Sequence, residues 1–249
     1  MQNKIIYGVP FSQPVRAVMW LMLIKKFPFE LKLINPGSSS EGGSRHPDYL
    51  KKFPTGTIPS FEDPETGLLI SESHAIMCYL CNTNNWNDLY PSNPEQRAKV
   101  DSYLHLHHRN VREASIGLVA PKVRKDLNFS EDFLEASKAS IEKAFKAIET
   151  GWLHNSKFLI GDTMTIADIS AYVEIGQLQS IFTNIYNFGP FPNIQKWLNE
   201  MQNVDCHDDI HTALYELGDI SKEAPPMEVI INANKKALKV IQERLASIN

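Results

Sequence analysis

The chain has 249 residues, 43% of them hydrophobic, and balances 25 basic against 29 acidic side chains for a net charge of −4. That length suits one or two ordinary domains with a buried core, and the charge balance excludes the electrostatic footprint of a nucleic-acid or anionic-membrane binder. Three cysteines build no disulfide framework, the first ten residues hold no signal-type apolar run, and the longest such run, AVMWLMLI at 17–24, is less than half a membrane span. The expected address is the cytoplasm, with neither nucleic acid nor membrane as partner.

In chain order, KIIYGV forms a strand, residues 14–26 a helix, and FELKLI (29–34) a strand whose Phe29, Leu31 and Leu33 alternate with polar neighbours. After the loop GSSSEGGS come TIPSFED, the turn DPETG and the short strand LLI, the layout of a hairpin. SESHAIMCYLC then opens with helix-capping residues and continues with an apolar face. This βαβ-ββα order is that of a thioredoxin-like domain over residues 1–83. The polar, Asn- and Pro-rich stretch around 84–94 reads as a linker.

Helical spacing dominates from 95 to 249, at about 95–124, 130–150, 167–182 and 191–203, so the fold class is α/β followed by an all-helical C-terminal domain. Thr165-Ile-Ala-Asp168 is the S/T-x-x-D form of a capping box. A final amphipathic extension runs from about 225.

The first strand meets the first helix at Ser12, just ahead of Pro14, a residue tolerated in a first helical turn because no N–H is needed there. Two readings are open. The hydroxyl caps the helix, worth about 1 kcal/mol, or it faces an anion held by the helix's free N–H groups and dipole. Cysteine often occupies such a place, where the field favours its thiolate; serine cannot be a redox sulfur, but its O–H can donate to a sulfur brought by a ligand. A second helix start, ISESHA, sets Ser71 and Ser73 as caps around Glu72. There a carboxylate would meet N–H groups and the Ser73 hydroxyl while Glu72 holds an ammonium, which suits an α-amino-acid end.

FSQPVRAV (11–18), PFELKLI (28–34), FPTGTIPSFED (53–63), SESHAIMCYL (71–80), YPSNPEQRAKVDSYLHLHHRNVR (90–112) and FLIGDTMTIADI (158–169) together resemble the cytosolic glutathione S-transferases, most closely the theta class. The resemblance implies that Ser12 donates to the glutathione sulfur, that Glu72 and Ser73 hold the γ-glutamyl end, and that Ile58, ahead of a cis-proline Pro59, pairs with the tripeptide backbone. Gln13 beside the sulfur site and Thr57 beside Ile58 are further glutathione contacts, and Arg112 matches a basic position that faces the electrophile pocket. Two departures stand out: Phe53-Pro54 replaces the family's Asn-Pro, and the segment that brings a histidine to the glycine end reads SSSEGGSRHPDYL, leaving His46 as the substitute.

Cys78 and Cys81 form a C-x-x-C inside an apolar helix past its first turn, away from the position that lowers a thiol pKa, and read as core. HLHHR (105–109) and HDDIH (207–211) have metal-compatible spacing without a third ligand, so no metal is expected and the histidines read as surface or hydrogen-bonding groups. The resemblance thus implies a homodimeric enzyme with glutathione as co-substrate, conjugating its thiolate to hydrophobic electrophiles, with glutathione-dependent peroxidase or dehalogenase chemistry as variants. The alternative is a non-catalytic binding or interaction protein of the same fold.

Overall fold

The computed structural model describes residues 3–124 and 127–248. The first apolar run forms β1 (Lys4–Gly8), buried along its length, and helix α1 (Gln13–Ile24) carries the chain back to β2 (Phe29–Leu33), parallel to β1. Antiparallel β3 (Ser60–Asp63) and β4 (Leu68–Ser71) extend the sheet in the order β2-β1-β3-β4. Ile6 therefore lies between Leu31 and Phe61, at the centre of the sheet. Helix α1 is buried nearly all round, with Val15 and Ala17 through Leu23 at most 1% exposed. Its approach to the sheet depends on Gly8, where a Cβ would stand 2.5 Å from a Val15 methyl.

Helix α2 (Pro47–Lys52), a short element inside the stretch that the sequence pattern leaves as loop, is started by His46, whose Nδ1 accepts from the Asp48 N–H at 3.3 Å. Its Tyr49 hydroxyl donates to the Thr57 carbonyl at 2.8 Å and so fixes the loop ahead of β3. Helix α3 (Ser73–Thr83) closes this part of the chain against α1.

The remainder is helical: α4 (Pro94–His107), α5 (Ala120–Val123), α6 (Glu131–Ala147), α7 (Ile166–Ile175), α8 (Pro192–Gln202), α9 (His207–Leu217) and α10 (Met227–Ala246). The continuous helix expected over 95–124 is broken. The Asn110 amide donates to the Leu106 carbonyl, the Arg112 N–H reaches five residues back to His107, and a π-helical stretch, Ala114–Val119, leads into α5. Pro121, which has no N–H, sits in the first turn of α5. Nor does the sequence pattern assign α9, although Ile210, Ala213, Leu214 and Leu217 form one apolar face and Asp208 and Asp209 suit its N-terminus. Its histidines pack inward: His207 Nε2 pairs with the Tyr172 hydroxyl at 2.7 Å, and His211 Nδ1 with the His207 carbonyl at 2.7 Å.

Helix α7 is the centre of this part, its residues all buried and packed on α1, α4 and α8. No helix among the described residues is long and apolar enough to cross a membrane.

Candidate active site

Ser12 stands at the mouth of α1 in an extended conformation, φ −68° and ψ 125°, and its hydroxyl makes no capping bond to the helix. Of the two roles open to this serine, the cap is not the one the structure adopts. The segment is held from both sides through Phe11. The Asn234 side chain of α10 accepts from the Phe11 N–H at 2.9 Å, and the Arg16 guanidinium donates to the Phe11 carbonyl at 2.5 Å and to the Val173 carbonyl of α7 at 3.0 Å. Arg16 is fully buried; burial pulls its guanidinium down to about 10, with the Glu174 carboxylate opposing, so it stays charged at neutral pH. The amide-rich start of α1 thus has a buried cation one turn beyond it.

The second helix start differs from the expectation in detail. Ser71 belongs to β4, its hydroxyl 2.7 Å from that of Ser60, and does not cap α3. Glu72 precedes the helix in a left-handed conformation, φ 76°, with no side-chain cap, and Ser73 is its first residue. A non-glycine residue held there costs about 1 kcal/mol or more, a cost that functional sites often carry. Left-handed Glu72 is exposed, while Ser73 behind it is buried.

Between these two helix starts lies a polar cavity of about 170 Å³, lined by Thr57, Ile58, Pro59, Glu72, Ser73, His74, His107, His108 and Arg112, with Ser170, Val173 and Glu174 of α7 as its far wall. The Ile58–Pro59 bond is cis, as the resemblance implies.

A second, apolar cavity of about 310 Å³ adjoins it, sharing Ile58 and Arg112. Ser12 and Gln13 open onto this one, which Phe11, Ile116, Val119, Val123 and Phe129 also line. At the junction, Arg112 pairs with the buried Glu174 carboxylate, which also accepts from the Ser115 hydroxyl. Gln177 donates to Ser115 Oγ at 2.6 Å, and Gln13 donates to Gln177 at 2.7 Å. The Gln13 amide is therefore committed to a buried network that ties α1 to α7.

The expected residues Ser12, Gln13, Thr57, Ile58, Pro59, Glu72, Ser73 and Arg112 thus gather around two joined cavities. His46 lines neither of them; its ring starts α2. Sequence reasoning missed Arg16, Asn234, Glu174 and Gln177, and it read His107 and His108 as ordinary histidines although both line the polar cavity. A lone arginine just ahead of AVMWLMLI, inside the same helix, was the one legible signal among them.

Cys78 and Cys81 lie within α3, free and away from both cavities. Burial pushes the Cys81 thiol up to about 12 and also raises Cys78 and Cys206. All three should resist a disulfide exchange reagent at pH 8 and react quickly only in denaturant; rapid labelling of Cys78 or Cys81 in the native protein would contradict their place in the core. Among the described residues, no group of three or more His, Cys, Asp or Glu side chains could hold a metal ion.

A four-stranded sheet with a cis-proline loop, followed by a helical bundle that walls the cleft over two helix starts, is the architecture of the glutathione S-transferases. Residues 6–88 match the glutathione S-transferase N-terminal domain and residues 110–205 the glutathione S-transferase C-terminal domain. The chain belongs to the glutathione S-transferase family, and theta-class proteins are among its relatives. It is 26% identical over 249 residues to glutathione S-transferase T3 of Arabidopsis thaliana, a match covering 90% of this chain and 41% of that relative. The chain thus spans less than half the length of that protein. With glutathione S-transferase theta-1 of Homo sapiens it shares 25% identity over 225 residues, 88% of this chain and 90% of the relative. A glutathione transferase structure from Bombyx mori superposes with a TM-score of 0.73 at 25% identity, covering 96% of this chain and 98% of the other.

Proposed function

We propose that this chain is a serine-type, theta-like glutathione transferase in which Ser12 activates the thiol. The observation that carries the reading is the Ser12 hydroxyl, free of any capping bond at the start of α1 and open to an apolar cavity that adjoins a polar one. Reduced glutathione lies with its γ-glutamyl end at Glu72 and Ser73 and its backbone along Thr57, Ile58 and Pro59, which directs its sulfur toward Ser12. The Ser12 O–H donates to the thiolate, and the first N–H groups of α1 add their field.

The magnitudes suffice. Lowering a thiol pKa by about two units is worth roughly 2.7 kcal/mol; a hydrogen bond to a charged group supplies about 1.5–3 kcal/mol and a helix end about 0.3–2 kcal/mol. The thiolate attacks an electrophilic carbon held in the apolar cavity beside Arg112. A C–S bond forms as a leaving group departs with its electron pair, or as the thiolate adds to a polarised double bond. No side chain of the protein is modified covalently.

Glycine-end recognition falls to His46 only if its ring gives up the cap on α2. The reading carries with it a cytoplasmic homodimer active in detoxification. The test is to titrate wild-type protein with glutathione, follow the thiolate absorbance in the ultraviolet, and then supply aryl halides, isothiocyanates and organic hydroperoxides. Expected are saturable binding, ionisation at neutral pH and turnover of at least one electrophile. Binding without ionisation would favour a non-catalytic binding protein of the same fold.

A further inference from the structure

The polar cavity holds more nitrogen than the Glu72–Ser73 corner accounts for. His74, the second residue of α3, and His107, the last of α4, are 8% and 4% exposed; the Nδ1 of each is buried without a well-aligned hydrogen bond among the described residues, the Leu104 backbone being a weak partner of the His74 ring. Both line the cavity, and exposed His108 joins them. The His74 ring centre is 5.0 Å from that of His107 and 4.7 Å from that of His108, and its Nε2 is fixed on the Ser170 hydroxyl of α7 at 2.6 Å.

The charges around the pair come from every side. Glu72 stands ahead of α3, His105 and His108 lie on and just beyond α4, Arg112 comes after them, and Glu174 faces from α7. Glu174 is taken by Arg112 and Ser115, and Glu72 is exposed. The pair therefore has one fixed cation close by, Arg112, itself paired with Glu174, and no anion of its own. Burial first, then His108, Arg112 and His105, pulls His74 down to about 3; burial, His74, Arg112 and His108 hold His107 well below its ordinary value. An anion arriving at the start of α3 would supply what the cluster lacks: a negative partner for an imidazolium, at a helix end with free N–H groups.

On the basis of the glutathione reading, we propose that the α-carboxylate of the γ-glutamyl group binds against the His74–His107 pair and draws one proton from solvent onto it. Binding is then coupled to proton uptake, and affinity falls as pH rises through the pKa the pair acquires in the complex. No bond other than N–H is made. The thiol works in the opposite sense, since its ionisation releases a proton, so the ligand for the test is S-methylglutathione, which has no thiol to titrate.

Calorimetric titration of the full chain with S-methylglutathione near pH 5, in buffers of different ionisation enthalpy, should show uptake of about 0.1–0.9 proton, since an opposite charge raises a group at about 3 by about one to three units, with affinity weakening by up to about tenfold per pH unit. His74→Gln should abolish the uptake. Because the His74 ring bridges α3 to α7, His107→Gln is measured beside it, each variant first checked for its melting temperature; uptake should fall in both. Tight binding with a buffer-independent heat would overturn the histidine role and leave the glutathione reading standing. Undiminished uptake in both variants would do the same by locating the proton elsewhere. Failure of both glutathione and S-methylglutathione to bind would sink the inference together with the reading it rests on.

Discussion

Ser12→Ala should leave glutathione binding within a fewfold of wild type, yet raise the pKa of the bound thiol by one to two units and lower kcat/KM by about 10- to 150-fold at neutral pH. The split comes from geometry. The γ-glutamyl end and peptide backbone are assigned to Glu72, Ser73, Thr57 and Ile58, none of which is hydrogen-bonded to the serine side chain, so the binding contacts survive. What is lost is one hydrogen bond to a charged sulfur, while the field at the start of α1 remains because the Phe11 backbone is still held by Arg16 and Asn234. Raising the pH should recover much of the lost rate as the thiol ionises unaided, so the pH–rate profile of the variant shifts upward. An unchanged profile would mean that the serine takes no part in ionising the thiol. A collapse of binding would instead mean that the hydroxyl organises the tripeptide.

Much of this arrangement is readable from the chain because its carriers are local. The β1–turn–α1 junction at Ser12, the hairpin around DPETG and the Thr165–Asp168 box each depend on a few adjacent residues whose conformational preferences agree. Other features depend on distant partners. That Ser12 does not cap its helix reflects how the whole segment is seated, with Phe11 gripped by a residue on α10 and by a buried arginine that also reaches α7. The break after α4 hinges on an Asn110 amide competing for a backbone carbonyl, a choice that helical spacing does not reveal. His74 and His107 are 33 residues apart in sequence, and only the approach of the start of α3 to the end of α4 in the fold makes them a pair. Glu174 has no role legible in the sequence, because Arg112 and Ser115 converge on it only in the fold, and His46 reads as a free ligand until α2 forms behind it.

The largest loss of stability should come from Asp168→Ala, at about 3–5 kcal/mol by chemical denaturation. The carboxylate is fully buried and accepts from the Leu159 N–H at 2.8 Å, the Thr165 N–H at 2.9 Å and the Trp197 indole at 3.0 Å, with the Thr165 hydroxyl at 3.2 Å. Alanine would leave these donors buried and unmatched, each costing about 1–3 kcal/mol before relaxation, and would remove half of the box that starts α7. Asp168→Asn should cost less, since its carbonyl can still serve the Leu159 and Trp197 donors while its amide faces the Thr165 N–H. The pH dependence has a definite sign. Burial outweighs these hydrogen bonds and pushes the carboxyl up from 3.8 to about 6, so between those values the folded chain keeps a proton that the unfolded chain has released. The contribution of this group is therefore full at the acid end of the window and declines as pH rises to about 6; Asp168→Asn should flatten that slope. Because α7 carries Ser170, Val173 and Glu174 into the polar cavity, milder variants at this position should weaken glutathione binding in step with stability. Full activity in an Asp168→Ala protein that unfolds with wild-type stability would show that the start of α7 is held by other contacts.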